Sequence, residues 1–138
     1  MSYDVAVFEP EASLRDRSAF LAWYKARTQW GARAYDPTNA TPRLQAWFNE
    51  MIETFPPLST PNRPAMDDPE RWGKVIDYVF SGDMIYTAIS GGRATVAYQL
   101  IHRLAAKYGI GVYDLSDNGD VWFPTSDGRL EVAIHAVG

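Results

Sequence analysis

Few side chains in this 138-residue sequence stand at spacings that chemistry requires, and each candidate competes with a plainer role. Asp114, Ser116, Asn118, Gly119 and Asp120 occupy the first, third, fifth, sixth and seventh places of a calcium-loop pattern. The twelfth place holds Thr125 instead of the bidentate glutamate that closes the coordination shell, and a tight Asn-Gly turn accounts for every residue of the stretch. His102 and His135 show no His-x-x-x-His or His-Glu-x-x-His spacing, so both read as surface histidines. Gly91-Gly92, followed by Arg93, stands where a strand hands over to a helix and could hold an anion there. It lacks a nucleotide-binding glycine pattern, and two glycines also simply permit a sharp turn. Asp77 and Asp83 lie near the ends of one strand pair, and Asp4 neighbours Asp77 if the first strand pairs centrally. Paired carboxylates can divide acid and base work, yet no nucleophile accompanies them and turn or solvent roles explain each one. No catalytic, cofactor-binding or metal site is therefore expected.

The elements that would position these residues follow from periodicity. Tyr3–Phe8 is apolar on both faces, as a central strand must be. Ser13 and Asp16 resemble a capping signal for a helix over 13–28, with Phe20, Leu21, Trp23, Tyr24 and Arg27 as its stripe and Arg15, Arg17 and Lys25 outside. Thr41 as N-cap and Pro42 at the first helical position open a second helix. Its face is Leu44, Trp47, Phe48, Met51, Ile52 and Phe55, and Pro56-Pro57 ends it. Residues 56–74 hold five of the nine prolines and read as an irregular surface loop. Two β-rich runs, 75–80 and 84–89, flank Ser81-Gly82-Asp83 as a hairpin. A third helix runs from Gly91 to Tyr108, with Gly109 as its stop. Strands at 110–115 and 121–123 surround the Asn118-Gly119 turn, and a last strand covers 130–135. Setting the second helix aside as extra leaves βαββαβ. The expectation is an α+β, ferredoxin-like sandwich over residues 1–138: an antiparallel sheet covered by helices on one face, with one or two additional C-terminal strands.

Composition narrows the function classes. The length suits one domain, and the absence of cysteine excludes thiolate chemistry. Thirteen basic against seventeen acidic residues argue against nucleic-acid binding. No apolar run approaches the roughly 20 residues of a membrane span, and Met1-Ser-Tyr-Asp lacks signal-peptide character, so no membrane contact and a cytoplasmic location are expected. Aromatics make up 14% of the chain. From residue 110 onward stand Asp114, Asp117, Asp120, Asp127 and Glu131 against Arg129 alone, five acids and one base, a local net of -4. Tyr113, Trp122 and Phe123 lie among them, so carboxylates surround aromatic anchors, which suits capture of a basic protein. The same acids also serve solubility, and Trp122 and Phe123 alternate faces, so one of the two belongs to the core.

Three stretches carry a resemblance: Tyr3-Asp-Val-Ala-Val-Phe-Glu9, Trp47-Phe-Asn-Glu-Met-Ile-Glu-Thr-Phe-Pro56, and Tyr113-Asp-Leu-Ser-Asp-Asn-Gly-Asp-Val-Trp-Phe-Pro124. Over residues 3–124 the chain resembles a family of small bacterial proteins, some of them associated with toxin–immunity loci of polymorphic or type VI secretion systems. The resemblance implies an immunity protein that needs no catalysis and no cofactor and binds a cognate protein toxin. The expected partner contacts are Asp67, Asp68 and Glu70 in the long loop and Asp114, Asp117, Asp120 and Trp122 at the C-terminal hairpin. The alternative is a small metabolite-binding domain or enzyme, with Asp77, Tyr78, Tyr86 and Arg93 lining a cleft beside the 56–74 loop. A homodimer through an uncovered sheet face is a third possibility.

Overall fold

The computed structural model describes residues 2–12, 15–58, 70, 73–116 and 119–135. Six strands form one antiparallel sheet: β1 (Ser2–Phe8), β2 (Ile76–Phe80), β3 (Met84–Ser90), β4 (Gly111–Tyr113), β5 (Val121–Pro124) and β6 (Leu130–Ile134), in the order β2-β3-β1-β4-β5-β6. The described residues add three α-helices, α1 (Arg17–Arg27), α2 (Pro42–Thr54) and α3 (Ala94–Tyr108). The molecule is thus a mixed α+β protein.

Strand β1 lies inside the sheet because both of its faces must be covered. Val5 and Val7 join Leu44, Trp47, Phe48 and Met51 of α2 and Ala97, Ile101 and Leu104 of α3 in one buried cluster. Ala6 and Phe8 face the other way and meet Phe20 of α1 with Met84, Val121 and Phe123. Helices therefore cover both faces of the sheet, not one. The helix set aside as extra also changes: α2 pairs with α3 over the main core, and α1 stands alone on the second face. Local periodicity cannot decide this, because both helices carry an aromatic stripe and either would bury it.

The buried polar groups of the main core are satisfied. The Trp47 indole N–H donates to the Ile101 carbonyl at 3.3 Å, the Tyr78 hydroxyl to Phe55 O at 2.7 Å and the Thr87 hydroxyl to Val5 O at 2.6 Å. The outer edge of β2 is occupied in turn, with Phe80 N–H on Ala34 O at 2.7 Å and Ile76 N–H on Pro56 O at 3.0 Å. Such cover blunts an edge that would otherwise template pairing with another chain.

Helix boundaries shift for local reasons. Helix α1 starts at Arg17 with Asp16 as its N-cap, whose carboxylate accepts from Ala19 N–H at 3.0 Å; Ser13 lies outside the described residues. Thr41 precedes α2 but does not cap it through its side chain, because its hydroxyl donates to Glu9. Arg43 completes that junction, donating to Glu9, to Glu11 at 2.8 Å and to Gly109 O at 3.0 Å. Residues Gly91–Arg93 form a 3-10 turn ahead of α3, and Arg93 donates to Gly73 O at 3.2 Å. Gly109 closes α3 at φ +69°, a left-handed conformation that accounts for the glycine.

Helix α1 is tied to the β2–β3 turn by Arg27, which grips Asp83 through two bonds of 2.7 and 3.1 Å. That bond pushes the guanidinium pKa further up. The pair remains open to water, so Arg27→Met is expected to cost only about 0.5 kcal/mol in urea unfolding.

Candidate functional site

Among the described residues, those expected to meet a partner do not form one surface. Asp67, Asp68 and Asp117 lie outside the described residues, while Glu70 is exposed. Asp114 is buried, with 1% of its side chain exposed. Its Oδ2 accepts from the Tyr98 hydroxyl at 3.0 Å and from the Trp122 indole N–H at 2.8 Å, and its Oδ1 lies 3.1 Å from His102 Nε2. Asp114 is thus a correction to the expected contact set. Trp122 is half-buried and holds Asp114 instead of forming an exposed anchor, while Phe123 is buried on the opposite face. Asp120 is half-buried, and its carbonyl closes the turn by accepting from Asp114 N–H at 3.0 Å.

His102 is equally far from a plain surface histidine. Its side chain is 16% exposed, its ring lies 4.2 Å from that of Tyr98, and Trp122 meets it edge-on at 5.2 Å. Tyr98 and His102 stand one helical turn apart, so α3 offers both to a carboxylate arriving from the end of β4. An ionised carboxylate only accepts, so Nε2 carries the proton in this contact. The cluster joins α3 to the β4–β5 hairpin as a filled polar clamp. It leaves neither a nucleophile nor an open position among the described residues, and these hold no cluster of three metal-ligating side chains.

The four residues expected to line a metabolite cleft do not converge, and only Asp77 and Tyr86 share a face. Tyr78 is buried under α2, Asp77 and Tyr86 point to the second face, and Arg93 sits at the start of α3. A hollow of about 310 Å³ does open beside Tyr98, but its lining is Tyr3, Ala94, Thr95, Tyr98 and Gln99.

A different arrangement appears at the open end of the second sheet face. Asp4 stands opposite Ala88, and Ala88 stands opposite Asp77, so two carboxylates flank a small residue across three neighbouring strands. Asp4 and Asp77 were expected as direct neighbours; β3 separates them. Side chains two apart on a strand share a face, which brings Tyr86 to the same face in the next row. The Asp4 carboxylate lies close enough to the Tyr86 hydroxyl to raise its pKa. The backbone of Asp4 is pinned from the other side: its N–H donates to the Ser116 hydroxyl at 2.7 Å, and its carbonyl accepts from Ser116 N–H at 3.2 Å. Trp30, 42% exposed, lies 5.9 Å from the Tyr86 ring, and Tyr24 of α1 completes the aromatic rim.

The electrostatics of this end follow from burial. Desolvation first, and the nearby Asp4 carboxylate in addition, hold the Tyr24 and Tyr86 hydroxyls well above the ordinary phenol range, so both remain protonated donors. Burial raises the Asp77 carboxyl, and its Oδ1 has no hydrogen-bond partner among the described residues. A raised carboxyl binds more protons folded than unfolded, so stability falls as pH rises from the ordinary carboxylate value through the raised one. Asp77→Asn is therefore expected to raise the urea midpoint at pH 7, with the advantage disappearing below pH ~4, where both forms are neutral.

Three bases of the adjoining helix region have partners elsewhere. Arg27 holds Asp83, Arg17 donates to His135 O at 3.0 Å, and the Arg15 guanidinium lies 4.5 Å from the centre of the Phe123 ring. Among the described residues, this end of the face brings together Asp4, Asp77, Tyr24, Tyr86 and Trp30.

No protein-family model, curated protein or solved structure matches this chain. No helix among the described residues is long and apolar enough to cross a membrane.

Proposed function

We propose that this protein is an immunity-type inhibitor that neutralises a basic protein toxin by binding it directly. The observation that carries the reading is the acidic, aromatic open end of the second sheet face, formed by Asp4, Asp77, Tyr86 and Trp30. Aromatic anchors beside carboxylates suit a basic partner surface, giving both rapid encounter and packing area. The resemblance to proteins of toxin–immunity loci points the same way. The binding face moves from the C-terminal hairpin to the sheet, because Asp114 and Trp122 are spent on holding α3. Inhibition by occlusion needs no catalytic step, cofactor or metal from this chain. The same reading takes β1, α2, β2, β3, α3 and β4 as a ferredoxin-like βαββαβ unit, to which α1, β5 and β6 are added. Its support is the chain order together with the sheet order β2-β3-β1-β4.

Co-expression with the product of the adjacent gene tests the reading. A co-eluting complex and rescue of growth are expected, and the double charge reversal Asp4→Lys/Asp77→Lys should weaken binding about 100-fold. Neither a complex nor protection with the wild-type protein would overturn it.

A further inference from the structure

The two faces of the sheet are covered on unequal terms. Among the described residues, 18 buried residues make up the core shared by α2 and α3, and seven make up the core on the side of α1. Helix α2 commits Leu44, Trp47, Phe48 and Met51 to burial and α3 commits Ala97, Ile101, Leu104 and Ala105, whereas Phe20 is the one side chain that α1 buries completely. We propose that α1 is a detachable cover, which lifts off the second face as a unit while α2 and α3 stay packed on the first. The inference is independent of the inhibitor reading.

The polar ties of α1 lie at its two ends. Its first residue, Arg17, donates to His135 O at 3.0 Å at the surface, and its last, Arg27, grips Asp83 with 37% of the Arg27 side chain still exposed. Ties this open to water contribute little and release readily. Between them the Trp23 indole N–H is buried with no hydrogen-bond partner among the described residues. Docking costs that donor its bond to water, and lifting the helix restores it, which offsets part of the cost of exposing the rings. The buried Trp47 of α2 differs, because its N–H has the Ile101 carbonyl. Aromatic contacts oppose the opening: Phe20 and Trp23 meet Phe8 at 5.3 and 5.5 Å, and Tyr24 meets Tyr113 at 5.0 Å. The chain is anchored on each side of α1 by contacts that do not involve it, since Arg43 holds Glu11 and Ala34 O accepts from Phe80 N–H of β2. The helix can therefore leave without pulling on the sheet. An isolated helix of 11 residues is marginal in water, so α1 unwinds once off the face. Ala6, Phe8, Met84 and Phe123 are then uncovered.

Native-state hydrogen exchange of the wild-type protein at rising urea tests the cover, together with thiol labelling. The chain has no cysteine, so Ala6→Cys on the α1 side and Ala97→Cys in the main core each place a single thiol at a fully buried position. An aromatic disulfide reagent reads how often each is uncovered. The amides of residues 23–27 are expected to exchange together, with little dependence on urea, and roughly 100-fold faster than the slowest amides of α2 and α3. The thiol of Ala6→Cys should be labelled with the same weak urea dependence, and that of Ala97→Cys only through global unfolding. Met84→Cys, also fully buried on the second face, replaces Ala6→Cys if the latter fails to fold. Exchange of α1 at the rate and urea dependence of α2 and α3 would overturn the cover. Rapid exchange of α1 with no labelling beneath it would overturn it too, because the helix then frays in place.

Discussion

Replacing Gly111 with alanine is expected to lower the unfolding free energy by about 3 kcal/mol, at the upper end of what overpacking a core costs. A Cβ at this position would lie 2.4, 2.6 and 2.8 Å from three atoms of the Phe8 ring, well inside van der Waals contact. The ring has nowhere to go. Phe20, Trp23 and Phe123 surround it at centroid distances of 5.3, 5.5 and 5.4 Å, and Phe8 itself is fully buried. Gly111 pairs with Phe8 across β1 and β4, so moving the ring away means opening the centre of the sheet or displacing α1. A urea unfolding curve measures the loss. Gly111→Ala combined with Phe8→Leu should lose less than the sum of the two single changes, because a smaller side chain gives the new methyl room. Strict additivity would show that the close approach is not what the glycine serves.

The second large effect concerns Asp114. Asp114→Ala is expected to cost about 3–5 kcal/mol, because it strips a common acceptor from three buried or half-buried donors at once. Tyr98, His102 and Trp122 would each lose their partner, and the β4–β5 hairpin its tie to α3. Asp114→Asn keeps the volume but turns half of the carboxylate into a donor, which clashes with at least one incoming N–H or O–H. It should therefore recover only part of the loss. Hydrogen exchange separates this from general destabilisation: protection should fall first in α3 and the hairpin and last in the β2–β3 pair. Stability unchanged by Asp114→Ala would mean that water takes over the three donors and that the clamp is dispensable.

These two residues also show where the sequence was legible. The apolar alternation of β1 on both faces announced an internal strand, and the Gly82 and Asn118-Gly119 turns announced the strand pairs around them. Helix faces were readable for the same reason, since burial imposes a period. The side of the sheet taken by each helix was not, because it depends on which face of β1 each stripe meets and the stripes are alike. Asp114 read as one more acid in an acidic turn. Its partners lie 12 and 16 residues back on α3 and eight residues ahead on β5, and only the fold brings them together. One signal was present: Tyr98 and His102 share a helix face, and two polar rings on an inward stripe require an acceptor. Asp4 and Asp77 were expected as neighbours, but the insertion of β3 between them belongs to topology.

The sheet order also sets a timetable for synthesis. Strand β1 pairs with β3 and β4, so its partners are separated from it by some 75 to 105 residues of chain, whereas the β2–β3 pair and the β4-β5-β6 meander assemble from near neighbours. At ribosomal rates of about 5–20 residues per second, β1 waits on the order of ten seconds for its first partner. Throughout that interval Val5, Ala6, Val7 and Phe8 present an apolar ribbon with unpaired edges on both sides. The strand that unites the two cores of the finished protein is thus the one most exposed to wrong association while the chain is being made, and the one a nascent-chain chaperone would be expected to hold.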